Sequence, residues 1–163
     1  MEYESGKYNE TLFEGFDTLI DEMGKHGMKA VVPMNNFWEW SGGMGVEIGW
    51  AKNGSEYHGM PYQWYTDPVA QTLYKNFIEK VMTRNNTKNG LLYKEDPTIM
   101  AWQLANEPRT NNCDQYKKWM SDIAFFIKDV VGTEQLVSLG NENMMAKKRR
   151  PDLGLVVIRK ASQ

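Results

Sequence analysis

Apolar residues return along this chain in two alternating rhythms. From Asn9 to Lys25, Leu12, Phe16, Leu19, Ile20 and Met23 keep helical spacing, with Asn9 placed to cap the start and Gly27 just past the end. Met28 to Met34 follows as a short apolar run centred on Ala30, Val31 and Val32, the pattern of a buried strand. Pro33 would cost a central strand a ladder bond and belongs near the strand's exit. Asp67-Pro68 signals the next helix as cap and first turn, with Val69, Leu73, Phe77 and Val81 as its buried stripe. After a turn-rich break from Asn85 to Gly90, Ile99 to Ala105 reads as a strand buried on both faces. A third helix is expected from about Asp114 to Val131, with Tyr116, Trp119, Ile123, Phe126, Ile127 and Val130 inward and Gly132 as its stop. Gln135 to Leu139 completes the series as a strand.

Helix, strand, helix, strand, helix, strand is the grammar of parallel βαβ units, and no internal repeat or hinge interrupts it. Residues 35–65 stand apart as one long Gly-, Trp- and Tyr-rich loop, a length that in a compact domain points to function.

Composition narrows the field. The chain has 163 residues, enough for one sizeable core, and a net charge of −2 that gives no reason to expect nucleic acid as the main partner. A single cysteine, Cys113, excludes an intrachain disulfide and cannot by itself support a cysteine-based metal site. No run of about 18 apolar residues exists, so no membrane span is expected. The N-terminal Met1-Glu2-Tyr3-Glu4 has neither the basic start nor the apolar core of a signal peptide. Four of the six tryptophans (Trp38, Trp40, Trp50 and Trp64) fall inside the loop.

The chemistry concentrates where the Ile99–Ala105 run stops at Asn106-Glu107-Pro108. Pro108 holds the residue before it extended, so Glu107 is expected on a stiff backbone at the carboxyl end of a buried strand. A glutamate in that place is commonly just solvated; the residues around it decide the matter. The fourteen residues from Asp96 to Arg109 closely resemble the fourth-strand motif of glycoside hydrolase family 5, in its endo-β-1,4-mannanase branch, where Trp-x-Leu-Ala-Asn-Glu-Pro-Arg carries the acid/base glutamate. The stretch Asn35 to Gly43 is similar to the third-strand loop of the same enzymes, in which Asn-Asn precedes tryptophan and then Gly-Gly.

That resemblance covers roughly residues 8–143 and implies a partial (β/α)₈ barrel, from about the second helix through the fifth strand. It implies an enzyme without cofactor or metal that hydrolyses internal β-1,4-mannosidic bonds of mannan, glucomannan or galactomannan by a retaining, two-carboxylate route. Glu107 would be the acid/base, its pKa raised by aromatic walls and a second negative charge. Asn106 would hold the sugar 2-hydroxyl, Trp38 would floor a subsite with Trp40 in reserve, Asn36 would join them, and Arg109 would reach a leaving-group-side sugar or pair with an acid. Trp50 and Trp64 are expected only to close the barrel mouth.

The family takes its nucleophile from the seventh strand, beyond the last strand expected here, so the 163-residue chain alone is expected to hydrolyse little. Glu142 is not assigned that role, and Glu39 and Glu47 are read as solvated loop charges. His26, His58, Ser41 and Ser138 show no metal-binding or triad pattern. Residues 1–146 form the catalytic part; the basic tail 147–163 is either a surface cluster or a non-native end. An extracellular or periplasmic setting follows from the resemblance, as does no membrane partner. A β-glucanase of the same family and a non-catalytic carbohydrate-binding protein are the competing readings.

Overall fold

The computed structural model describes residues 1–40, 42–54 and 57–141. Ser41, Glu142 and the 147–163 tail lie outside the described residues. Element order is β1 (Glu2–Glu4), β2 (Lys7–Tyr8), α1 (Glu10–Lys25), β3 (Ala30–Pro33), α2 (Met44–Ala51), α3 (Pro68–Met82), β4 (Ile99–Gln103), α4 (Cys113–Phe125) and β5 (Leu136–Ser138). β1 and β2 form a small antiparallel hairpin that the pattern of apolar positions did not announce. The other three strands form one parallel sheet in the order β3-β4-β5. Consecutive parallel strands joined by helices make up part of a (β/α)₈ barrel.

α1, α3 and α4 each start where a side chain satisfies the first amides, whereas α2 follows Gly43 with no side-chain cap. Asn9 Oδ1 accepts from Leu12 N, Asp67 Oδ1 from Val69 N and Ala70 N, and Asn112 Oδ1 from Asp114 N and Gln115 N. α4 runs on into a π-helical turn, Phe126–Gly132. Pro33 is the last residue of β3, as expected. Because Ala30 N and Met34 N both bond toward β4, Pro33 turns its nitrogen away from β4, so the β3–β4 ladder loses no bond to it.

Several expectations need correction. The buried stripes of α1 and α3 are only partly as expected: Ile20 and Val81 are buried, but Leu12, Leu19 and Val69 are exposed, and Phe13, Ala70, Tyr74 and Ile78 are buried instead. Val130 is exposed as well, because the helix has widened to π geometry where it lies. β4 is not covered on both faces throughout, since Met100 is 46% exposed. The 35–65 loop is not structureless: α2 and a 3₁₀ turn, Tyr62–Tyr65, lie within it.

Two clusters fix this frame. Trp64, Tyr65, Tyr74, Tyr116 and Trp119 form an aromatic cluster of mostly edge-on pairs under the loop. Midway along α1, buried Asp17 takes both Nε and Nη2 of Arg84, the hydroxyls of Tyr93 and Thr87, and the Thr87 amide. Burial pushes the Asp17 carboxyl up, but these donors outweigh it and bring the group down to about 2.

Candidate active site

The three parallel strands deliver their last residues to one end of the sheet, and backbone bonding continues past the strands themselves. Met34 N donates to Gln103 O, Asn106 N to Asn35 O and Phe37 N to Asn106 O. On the other side Leu104 N donates to Ser138 O and Glu107 N to Gly140 O. Glu107 is therefore anchored from both neighbours, by its own amide toward β5 and through Asn106 toward β3. The following Pro108 predicts an extended residue here, but Glu107 instead sits in the left-handed region at φ 49°, a conformation that L side chains avoid and that surrounding bonds must enforce.

The side chains of Glu107 and Trp38 meet across this end. Trp38 Nε1 donates to Glu107 Oε2 at 2.7 Å, and both residues are half-buried. The Arg109 guanidinium lies over the Trp38 ring at 4.6 Å, and the Phe37 ring meets Trp38 edge-on at 5.3 Å. Tyr65 Oη donates to the Arg109 carbonyl at 2.8 Å and so ties this loop to the aromatic cluster.

Beside that pair, Asn106 Nδ2 donates to Asn36 Oδ1 at 3.1 Å, and Asn36 Nδ2 donates to the Trp38 carbonyl at 3.1 Å. The two asparagines thus hold each other while their backbones bridge β3 to β4. Asn36, Asn106 and Trp40 share the lining of an open cavity of about 500 Å³, and Glu107 is not part of that lining. Trp40 is 78% exposed, the most exposed of the apolar side chains here, with its ring presented to solvent. Glu107, Trp38, Arg109, Asn36 and Asn106 are bonded or stacked together, while Trp40 stands apart from Glu107 on the cavity side.

Trp64 is wholly buried, and Trp50 lines the cavity. Glu39 is exposed. Glu47 overturns the expectation of a solvated loop charge: it is 7% exposed and accepts from Trp64 Nε1 at 2.5 Å and Asn35 Nδ2 at 3.1 Å. Burial pushes its carboxyl up to about 8, against the two hydrogen bonds, with the Glu2 charge adding to the rise. Sequence reasoning missed it because its donors come from two distant segments; the one local signal was its place in an apolar run, Met44 to Trp50.

Among the described residues no group of three or more His, Cys, Asp or Glu is placed to hold a metal ion. Chemically, the arrangement offers one carboxyl group at a strand end, oriented by an indole N–H, beside paired amides that can bond sugar hydroxyls.

Comparison with known proteins gives consistent matches. The family model described as GH family 5 beta-mannosidase-like matches residues 1–153. A mannan endo-1,4-beta-mannosidase 1 of Solanum lycopersicum is 36% identical over 146 residues, covering 87% of this chain and 36% of the relative. Its namesake from Oryza sativa subsp. japonica is 32% identical, covering 80% of this chain and 31% of its own. Among solved structures, a glycoside hydrolase family 5 mannosidase from Rhizomucor miehei superposes with a TM-score of 0.76 at 38% identity, over 88% of this chain and 37% of that one. An endo-beta-1,4-mannanase from Thermotoga petrophila gives 0.72 at 29%, over 80% of this chain and 27% of that one. The chain spans about a third of the length of the plant relatives it matches.

Proposed function

This chain belongs to the glycoside hydrolase family 5 β-mannosidase-like family, and we propose on that premise that it carries the proton-donating half of an endo-β-1,4-mannanase active site. Glu107 donates a proton to the departing glycosidic oxygen and then, as a base, activates water against the glycosyl intermediate. The second carboxylate, which forms that intermediate, comes in this reading from the length of the relatives that the chain does not span.

The single observation that carries this reading is the Trp38–Glu107 hydrogen bond at the carboxyl end of β4. An indole N–H can only donate, so it binds Oε2 and leaves Oε1 to carry the proton toward the sugar. Asn106, held by Asn36, offers the 2-hydroxyl an amide whose bond strengthens as the ring flattens toward the transition state. Trp40, exposed on the cavity side, is the better-placed stacking platform for a sugar face, because one face of Trp38 already carries Arg109. Arg109 borders the leaving-group side.

Mannan, glucomannan and galactomannan share the β-1,4-linked backbone this cleft would take, and polymers of that size support an extracellular or periplasmic setting. A mutant of the Rhizomucor miehei family 5 mannosidase was solved in complex with mannosyl-fructose, which supports a mannosyl ligand. The exposure of Trp40 also suits a non-catalytic carbohydrate-binding role. Glu107→Gln in the complete protein containing these residues separates the two. Loss of mannan hydrolysis by about 10³-fold or more is the expected result, with kcat/KM largely kept on an aryl mannoside whose leaving group needs no proton while slowed hydrolysis of the glycosyl intermediate lowers kcat. Binding to galactomannan with no turnover in the parent protein would overturn the catalytic reading, and preference for cellulose over glucomannan would overturn the mannan assignment.

A further inference from the structure

Glu47 has no part in the chemistry proposed above, yet it is a buried carboxyl group placed directly beneath the substrate-facing loop. Its Oε2 receives Asn35 Nδ2 and Trp64 Nε1 together. Asn35 is the joint between this buried group and the site. Its side-chain oxygen accepts the Asn36 amide at 2.7 Å, and its backbone oxygen accepts the Asn106 amide at 2.8 Å. Asn36 and Asn106 in turn bond each other, and Glu107 is the next residue in the chain.

α2 is seated in the same arrangement. Met44 N donates to Asn36 O, and Gly43 passes so close that a Cβ there would overlap that oxygen. Gly43 also holds φ at 95°, which a side chain would strain.

We infer that Glu47 is a positioning residue: held between Trp64 and Asn35, it fixes the asparagine pair and through it the placement of Glu107. This role rests on the acid/base reading of Glu107. The geometry favours a neutral Glu47. The titratable groups acting on it from neighbouring elements are Glu2 of β1 and Tyr74 of α3, and neither brings positive charge. Ionisation would place an anion in an apolar site, draw in water and loosen Asn35.

The test uses the complete protein and three variants, Glu47→Ala, Glu47→Gln and Asn35→Ala, with kcat and KM on mannan followed from pH 5 to 9. Glu47→Ala and Asn35→Ala should lower kcat at least tenfold with KM changed less than threefold. Glu47→Gln, whose amide oxygen accepts the same two donors, should recover most of the turnover that Glu47→Ala loses. A substrate-free readout accompanies this: tryptophan emission, through Trp64, should shift across the same pH range in the parent and stay flat in Glu47→Gln.

Retained kcat in Glu47→Ala, or an emission shift that survives in Glu47→Gln, overturns the positioning role. Glu107→Gln run alongside keeps the two readings apart. Hydrolysis abolished there while Glu47→Ala stays active sinks this inference alone; hydrolysis surviving Glu107→Gln sinks the acid/base reading beneath it.

Discussion

Trp38 and Glu107 lie 69 residues apart in the chain and are joined by one hydrogen bond from indole nitrogen to carboxylate oxygen at 2.7 Å. A bond to a charged acceptor contributes about 1.5–3 kcal/mol. Trp38→Phe keeps the ring under Arg109 but removes the donor. We expect kcat to fall about 10- to 100-fold with KM little changed. A rise in KM with kcat intact would make Trp38 a binding platform instead.

Glu47 sets a pH dependence of stability. Its carboxyl is raised from 4.5 to about 8, so the folded chain holds a proton that the unfolded chain releases. The stabilisation is complete below about pH 4.5 and is lost as pH climbs toward 8, with a limiting slope of about 1.4 kcal/mol per pH unit. Urea denaturation at half-unit pH steps should show that decline in the parent and a flatter profile in Glu47→Gln.

Asp17 has the opposite sign. Despite burial, its bonds to Arg84, Tyr93 and Thr87 lower it from 3.8 to about 2, so its contribution is present above pH 3.8 and disappears as pH falls through 2. Asp17→Asn removes the buried anion from the Arg84 guanidinium, itself only 10% exposed, leaves it Glu10 as its remaining ion-pair partner, and should cost about 3–5 kcal/mol. Lys118→Ala, which breaks an exposed pair with Asp122, should cost no more than about 0.5 kcal/mol in the same urea titration.

Gly140→Ala should disturb both fold and site. At φ 77° the residue is in the left-handed region, and a Cβ would overlap the Gln103 side chain and the Ala105 carbonyl. Since Gly140 O receives the Glu107 amide, the displacement reaches the residue proposed as acid/base. The variant should melt several degrees lower and lose kcat by an order of magnitude or more. An unchanged kcat would show that Glu107 does not depend on this anchor.

Helix starts were legible because a capping side chain is a local signal: Asn9 and Asp67 cap where their spacing placed them. Helix rotation was legible only in part. Leu12 and Phe13, Leu19 and Ile20, Val69 and Ala70 are adjacent apolar residues, so periodicity admits two phases; packing against the sheet chose the second. The strand ends were legible from Asn106-Glu107-Pro108, and the pairing of Asn36 with Asn106 brings the two resemblance-bearing stretches together. Burial of Glu47 and Asp17 could not be read, because their partners lie 12 or more residues away in sequence and no local pattern names them.

The backbone at Glu107 has one more consequence. Holding a side chain at φ 49° costs about 1–2 kcal/mol, a cost that glycine would not carry. Selection for thermal tolerance alone would therefore push this position toward glycine and, on the proposed acid/base role, silence the protein as it did so. Any screen for hardier variants should hold residue 107 fixed.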